Sequence, residues 1–381
     1  TVQNFDMPAA RQAPSLPTFA PAPWGGGEQF VADLSRRLAA DGRRVVLIAR
    51  PGRIVRERVA DMAVPFYRLP LKGVADLVSA AGLAWLIVRH RPATIHVHHF
   101  RDAFTALYAR ALVRPFGLRP RVVLTRHLVR PAKCGALHTW MYRQLDGMAF
   151  VSERARREFF STHPAVDPAR TTVILNSTPD LPANGAAPDL RSACGLGPNI
   201  PVVLFCGRLV QEKGCDVLLR ACARLGGGSS FALVFVGTTG DADYLARLRA
   251  SAAGLPDGIR VCFMGFSADA KALLSQADIS VQPSIVPEAG GGLTVIESMQ
   301  AGCAVVASDN GSQPEYAVAG TTGLLVPPGD EAALAEALAR LLGDADLRRR
   351  MGEAGRSRFA EKLAYEHFYR KYLAFYDEAT A

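Results

Sequence analysis

The chain has 381 residues, 49% hydrophobic and 21% charged, which suits two α/β domains of ordinary size better than one core. No window holds 18 uninterrupted apolar residues, so no membrane span is expected; the nearest candidate, Ala80 to Val88, runs straight into Arg89, His90 and Arg91. The formal charge of +9 is uneven, with 26 Lys+Arg against 13 Asp+Glu in residues 1–185 and 18 against 22 in residues 186–381. Such asymmetry predicts that the first half meets something anionic. An acidic second half and the lack of an aromatic-basic platform argue against nucleic acid as the partner. Seven cysteines, an odd number without CxxC spacing, predict neither a zinc site nor a disulfide framework, and a reducing cytoplasm is the expected setting. No signal-peptide pattern is apparent.

In chain order, the proline- and alanine-rich first two dozen residues read as loop. Gly25-Gly26-Gly27-Glu28 then opens a helix with Phe30, Val31, Leu34 and Leu38 at helical spacing, closed by Gly42. Strands are predicted at Arg44 to Ile48, Phe66 to Leu69, Thr94 to Val97, Arg121 to Thr125 and Gly147 to Val151, with helices such as Leu77 to Arg89 and Asp102 to Val113 between them. The polar stretch Asp180 to Asn199 is the best linker. Alternation restarts with strands at Val202 to Cys206, Ala232 to Val236, Val261 to Met264, Ile279 to Gln282, Ala304 to Ala307 and Gly323 to Val326. Helices fit at Asp216 to Leu225, Ala242 to Ala253, Ser267 to Ala277 and Leu293 to Ala301, then at Glu331 to Leu342, Asp346 to Phe359 and Tyr365 to Tyr376. Strands alternating with helices predict parallel, doubly wound sheets, in which ligands gather at the carboxyl ends of the strands. The expected domains are residues 1–185, residues 186–362 and a tail helix, residues 363–381, packing back on the first, with the active site in a cleft between two Rossmann-like halves.

Chemistry concentrates in the second half. After the strand at Val202, Arg208 and Lys213 stand five apart in a glycine-bounded loop, a fork of donors and a compact charge that suit one diphosphate. Gly290, Gly291 and Gly292 permit close backbone approach, and a helix starting at Leu293 and Thr294 points free amides at whatever lies there. Glu288 and Glu297 bracket that start, carboxylates suited to sugar hydroxyls and to a ribose diol, and Glu315 follows. Asp241-Ala242-Asp243 and Asp344-Ala345-Asp346 spell a metal motif but sit at helix starts, where Asp is a common cap, so no metal is predicted. Strand alternation puts His96 and His98 on one face and His99 on the other, and they read as cleft lining rather than a metal set.

GRLxxxKG at Gly207 to Gly214, the E…GLxxxE…G pattern at Glu288 to Gly302 and GxxPE…TGLLVPPGD at Gly311 to Asp330 resemble glycosyltransferase family 4, retaining transferases of the GT-B architecture. In the first half, Gly26, Gly27 and Glu28 fit the family's glycine loop, and His98 and His127 fit histidines that follow its strands. The resemblance implies that Arg208 and Lys213 hold the donor diphosphate, helped by amides around Gly292, Leu293 and Thr294. It further implies that Glu297 binds the ribose, that Glu288 contacts the donor sugar and that His127 reaches it from the other domain. Gly26 and Gly27 would line the donor side. Two departures stand out: eight residues rather than seven separate Glu288 from Glu297, and Thr1 to Pro23 match the family's first strand poorly.

The function so implied is transfer of a sugar from a nucleoside diphosphate sugar to an acceptor hydroxyl with retention and without a metal or other cofactor. The acceptor is expected to be a glycolipid or a polysaccharide precursor. Arg36, Arg37, Arg43, Arg44, Arg53, Arg56 and Arg58 are dense enough to meet anionic lipid, so a cytoplasmic location, peripheral on the inner face of the plasma membrane, is expected. The alternatives are a nucleotide-sugar epimerase of the same architecture and a non-catalytic nucleotide-sugar-binding relative. A dinucleotide-dependent oxidoreductase is disfavoured, since no GxGxxG follows a strand with an acidic residue about twenty positions on.

Overall fold

The structure is a computed structural model describing residues 15–19, 25–52, 57, 59, 60, 62, 64–180, 189–225, 230–267, 270–290 and 292–378. Arg53, Arg56, Arg58, Gly291 and linker residues 181–188 lie outside the described residues. Backbone packing divides the chain into two compact units, Thr1–Leu175 with Glu366–Ala381, and Asn176–Tyr365.

The first unit runs β1 (Ser15–Phe19), α1 (Gly26–Ala40), β2 (Leu47–Ala49), β3 (Phe66–Arg68), α2 (Leu77–His90), β4 (Thr94–Val97), α3 (Phe100–Val113), β5 (Arg121–Arg126), α4 (Ala136–Gln144), β6 (Gly147–Phe150), α5 (Glu153–Phe160) and β7 (Thr171–Val173). Its parallel sheet has the order β3-β2-β1-β4-β5-β6-β7. The strand β1 corrects the reading of the first two dozen residues as loop. Its signal is masked by Pro17, which usually argues against an interior strand. Here Pro17 pairs in register with His96 while the neighbouring Thr18 and Phe19 meet β2 on the other side.

The second unit runs β8 (Val202–Cys206), α6 (Cys215–Ala223), β9 (Phe231–Val236), α7 (Ala242–Ala253), β10 (Ile259–Gly265), α8 (Ala270–Leu274), β11 (Ile279–Gln282), α9 (Leu293–Ala301), β12 (Ala304–Ser308), β13 (Gly323–Val326), α10 (Glu331–Gly343) and α11 (Ala345–Arg358), with short helical turns at Leu190–Ala193 and Gln313–Tyr316. Strand order is β10-β9-β8-β11-β12-β13, again parallel. Strands β8, β9, β11 and β12 are buried along their whole length, as their unbroken apolar sequences require when helices cover both faces. Asp241 caps α7 by accepting from the Tyr244 amide at 2.8 Å, and Asp344 caps α11 by accepting from the Leu347 amide at 2.8 Å.

The cysteine reading needs correction. Cys194 and Cys262, 68 residues apart, form a disulfide with Cα atoms 5.9 Å apart, joining the segment after Leu190–Ala193 to β10. Spacing along the chain carried no trace of it, because the pairing is made by the return of β10 to the sheet edge. Cysteine usage therefore no longer argues for a reducing compartment.

The last helix, α12 (Tyr365–Glu378), groups with the first unit. Tyr369 donates to Asp41 at 2.8 Å, Arg37 bonds Glu366 at 3.0 Å, and Phe368 and Tyr372 meet Phe30 of α1 edge-on. Aromatic pairs of this kind add roughly 0.5–1.5 kcal/mol each beyond area burial.

Candidate active site

Both sheets reverse strand order once, between β1 and β4 and between β8 and β11. Ligands of open α/β sheets sit outside the carboxyl ends of the strands at such a switch point. In the second unit the loop carrying Arg208 and Lys213 leaves β8, and the loop carrying Glu288 leaves β11, so the two loops flank the switch.

Those loops are tied together. The Ile285 amide donates to the Glu212 carbonyl at 2.9 Å, and Gly214, at φ +71°, lies so close to the Pro283 carbonyl that any Cβ would overlap it. Lys213 and Glu288 consequently meet in a half-buried ion pair, Nζ to Oε2 2.7 Å. The second Glu288 oxygen accepts from Ser284 Oγ. From the other side the turn after β12 clamps the same loop: Ser312 donates to the Glu288 carbonyl from its amide at 2.9 Å and its hydroxyl at 2.8 Å, and Asn310 donates to the Ile285 carbonyl at 2.8 Å. The extra residue ahead of Glu297 thus leaves Glu288 held at the site.

Gly292 caps α9 at φ +67°, and Glu288 Oε2 lies 3.1 Å from where its Cβ would be. The amides of Leu293 and Thr294, in the first turn, have no intrahelical acceptor. The Thr294 hydroxyl donates to the Cys206 carbonyl at 3.2 Å, which also accepts from Gln282 at 3.2 Å, fixing the helix start to the end of β8. Glu297 lies one turn further along. Burial, helped by the Glu297 charge and opposed by Lys213, pushes the Cys206 thiol up to about 12, which puts both charges near the end of β8. Arg208 is exposed; its carbonyl accepts from the Val210 amide at 3.0 Å, and its guanidinium has no hydrogen bond or ion pair among the described residues. Glu315 sits in the turn Gln313–Tyr316, whose carbonyls Arg358 holds at 2.7 and 2.9 Å.

In the first unit Gly26 and Gly27 form the opening turn of α1, with Gly25 as its cap and the Gly25 amide donating to Glu28 at 3.0 Å. The α1 residue Phe30 contacts both His98, at 5.5 Å between ring centroids, and His127, at 4.9 Å. His98 Nδ1 and His127 Nε2 lie 3.2 Å apart. Burial holds both rings neutral, His127 down to about 3 and His98 well below its ordinary value. His98 Nε2 is buried without a partner among the described residues. His96 does not line a cleft: it is fully buried, with Nδ1 2.7 Å from the Tyr376 hydroxyl and Nε2 2.7 Å from Thr125 Oγ1. A returning helix that sequence alternation cannot see has turned it into a packing residue.

Two buried ionisable groups escaped the sequence reading. Asp102 is 1% exposed, neither carboxylate oxygen has a partner among the described residues, and burial raises it to about 7 against the opposing charges of Arg101 and Arg50. Arg126, next to His127, lies between the rings of Phe100 and Phe159 at 4.7 and 4.9 Å and donates to the Arg130 carbonyl. An Asp in a first helical turn reads as dipole complementation, so the pattern carries no sign of its burial.

Comparison with known proteins agrees with this architecture. The family profile described as glycosyl transferases group 1 matches residues 189–358, and that of glycosyltransferase family 4 matches residues 24–179. The chain is 32% identical over 287 residues to an alpha-maltose-1-phosphate synthase of Mycolicibacterium smegmatis, covering 68% of this chain and 73% of that protein. It is 30% identical over 345 residues to a phosphatidyl-myo-inositol mannosyltransferase of Mycobacterium leprae, 87% of each chain. The fold is similar to that of Anabaena Alr3699/HepE in complex with UDP-glucose, with a TM-score of 0.80 at 19% identity over 96% of this chain and 99% of the other. Two parallel Rossmann-like units matched along their length by these profiles and relatives place the chain in glycosyltransferase family 4, with the GT-B architecture.

Proposed function

We propose that the protein moves a sugar from a nucleoside diphosphate sugar to an acceptor hydroxyl, with retention at the anomeric carbon and without a metal. The observation that carries this reading is the Lys213–Glu288 pair set against the capped start of α9. An ammonium, free helix amides and the unpaired Arg208 guanidinium are the groups that stabilise a departing diphosphate, and such preorganised donors are worth about 10²–10³ in rate apiece. On donor binding, Lys213 turns to the diphosphate and Glu288 is released to the sugar hydroxyls, while Glu297 takes the ribose. The acceptor oxygen bonds to the anomeric carbon as the carbon–phosphate oxygen bond breaks, and the acceptor proton passes to the leaving phosphate. Gly26, Gly27 and the neutral His98–His127 pair serve the sugar and acceptor side. A glycolipid or saccharide acceptor is favoured by the mannosyltransferase relative, named for phosphatidyl-myo-inositol, and a nucleotide donor by the UDP-glucose complex. The cytoplasmic, membrane-peripheral setting belongs to the same proposal.

A panel of UDP-, GDP- and ADP-sugars scored by thermal shift tests it. One of them raises the melting temperature, and Arg208→Ala and Glu297→Ala abolish the shift. Product analysis in EDTA then shows the retained anomer on an acceptor. Absence of a shift from every sugar, or a shift indifferent to both substitutions, rejects the pocket.

A further inference from the structure

Helix α2, LVSAAGLAWLIVRH, carries no charge before Arg89 and is apolar on both faces. Helices apolar all round are normally buried. This one buries only its inner face, Ala80, Leu83, Leu86 and Ile87, while Leu77, Val78, Trp85 and Val88 stand 70, 73, 56 and 47% exposed. With Ala81, which is also exposed, the outer residues recur at helical spacing and form one stripe. The neighbouring α3 ends at the same edge of the sheet, since both helices lead into the amino ends of strands, and there Leu112 and Phe116 are exposed as well.

The rim of this face is basic. The Arg89 guanidinium lies over the Trp85 ring at 5.7 Å, and Arg91, Arg114 and Arg119 are exposed at the same end. Between residues 77 and 120 the one acidic residue is Asp102, and it is buried. Of the arginines expected from sequence to meet lipid, Arg36 bonds Asp33 at 3.3 Å, Arg37 is tied to Glu366 and Tyr369, and Arg53, Arg56 and Arg58 lie outside the described residues.

We propose that the outer face of α2 docks the protein on an anionic lipid bilayer. The helix is about 21 Å long at 1.5 Å per residue, short of a bilayer's hydrocarbon core, so it lies in the interface plane. There Trp85 sits at headgroup depth, the aliphatic stripe enters the acyl boundary and the arginines meet lipid phosphates. A second copy of the chain fits less well, because two-fold pairing of this face would bring its own arginines together. The proposal is independent of the donor pocket.

Co-sedimentation with phosphatidylcholine vesicles, with and without phosphatidylglycerol and at low and high salt, tests it. The protein binds the phosphatidylglycerol vesicles and is released as salt rises. Val78→Ser with Trp85→Ser lowers partitioning at least about tenfold, given the apolar area removed. Arg89→Glu with Arg114→Glu lowers it roughly fivefold or more for each charge. Unchanged melting and unchanged nucleotide-sugar shifts confirm that these variants are folded and keep failure of the donor reading separate. In the otherwise unaltered surface, a Trp24→Phe, Trp140→Phe protein reports Trp85 directly through quenching by brominated lipid. No binding to anionic vesicles, binding indifferent to both pairs of substitutions, or loss of a dimer in place of vesicle binding overturns the proposal.

Discussion

Asp102 sets a pH dependence that its neighbours oppose. Its ordinary value is 3.8 and its folded value about 7, so across that window the folded chain holds a proton that the unfolded chain has released. Stability contributed at this site is therefore present below about pH 4, lost as pH rises toward 7, and level above. His96 and His127, both held down to about 3 mainly by burial, slope the other way: below about pH 6.5 the unfolded chain takes up protons that the folded chain refuses, and stability falls with pH. Asp102→Asn removes the first slope alone. Relative to the parent protein the variant gains on the order of 3 kcal/mol between pH 4.5 and pH 8. Urea midpoints at the two pH values measure it, and an equal difference at both would reject buried ionisation as the cause. Nothing in the residue string separates Asp102 from an ordinary first-turn Asp, because desolvation is a property of what packs over it.

At the scale of elements, the site is two loops and a helix start locked by backbone contacts. A Cβ added to Gly311, at φ +58°, would lie 2.4 Å from both the backbone nitrogen and the carbonyl oxygen of Glu288, so a methyl group there both strains the turn and collides with the loop that carries the carboxylate. Gly320, at φ +74°, has open space around its Cβ direction and shares only the strain. Gly311→Ala thus loses most of the nucleotide-sugar thermal shift, whereas Gly320→Ala retains it at a modest cost in melting temperature. Equal shifts in the two would show that the clamp does not hold Glu288. The motif order made α9, Glu297 and the Arg208–Lys213 loop legible in the sequence, since glycine turns and buried strands announce themselves by composition. The pairing of Glu288 with Lys213 was not legible: 75 positions separate them, and the insertion before Glu297 pointed the other way. Strand β1 was hidden for a local reason, a proline where an interior strand rarely tolerates one.

On the scale of the whole molecule, the chain builds its first unit in two instalments, returning with α12 after the second unit is complete. The second unit is contiguous and has its own buried sheet. A fragment of residues 176–365 accordingly melts cooperatively and is stabilised by the nucleotide sugar that the full chain binds. Residues 1–175 alone lack the cover over His96, Thr125 and Phe30 and do not melt cooperatively until residues 366–381 are supplied. Calorimetry of the two fragments decides this; a cooperative transition in 1–175 by itself contradicts it.

The sequence by itself determined the fold class, the order of nearly all strands and helices and the residue types in the loops after β8 and β11, because periodicity, glycine turns and charged motifs are local and survive in one dimension. Tertiary structure alone decided that Lys213 and Glu288 neutralise each other, that His96 is sealed beneath a returning helix, that Cys194 meets Cys262 and that α2 leaves its outer apolar face to solvent. Each of these depends on which distant segment covers a side chain, and coverage sets burial, charge pairing and proton affinity together.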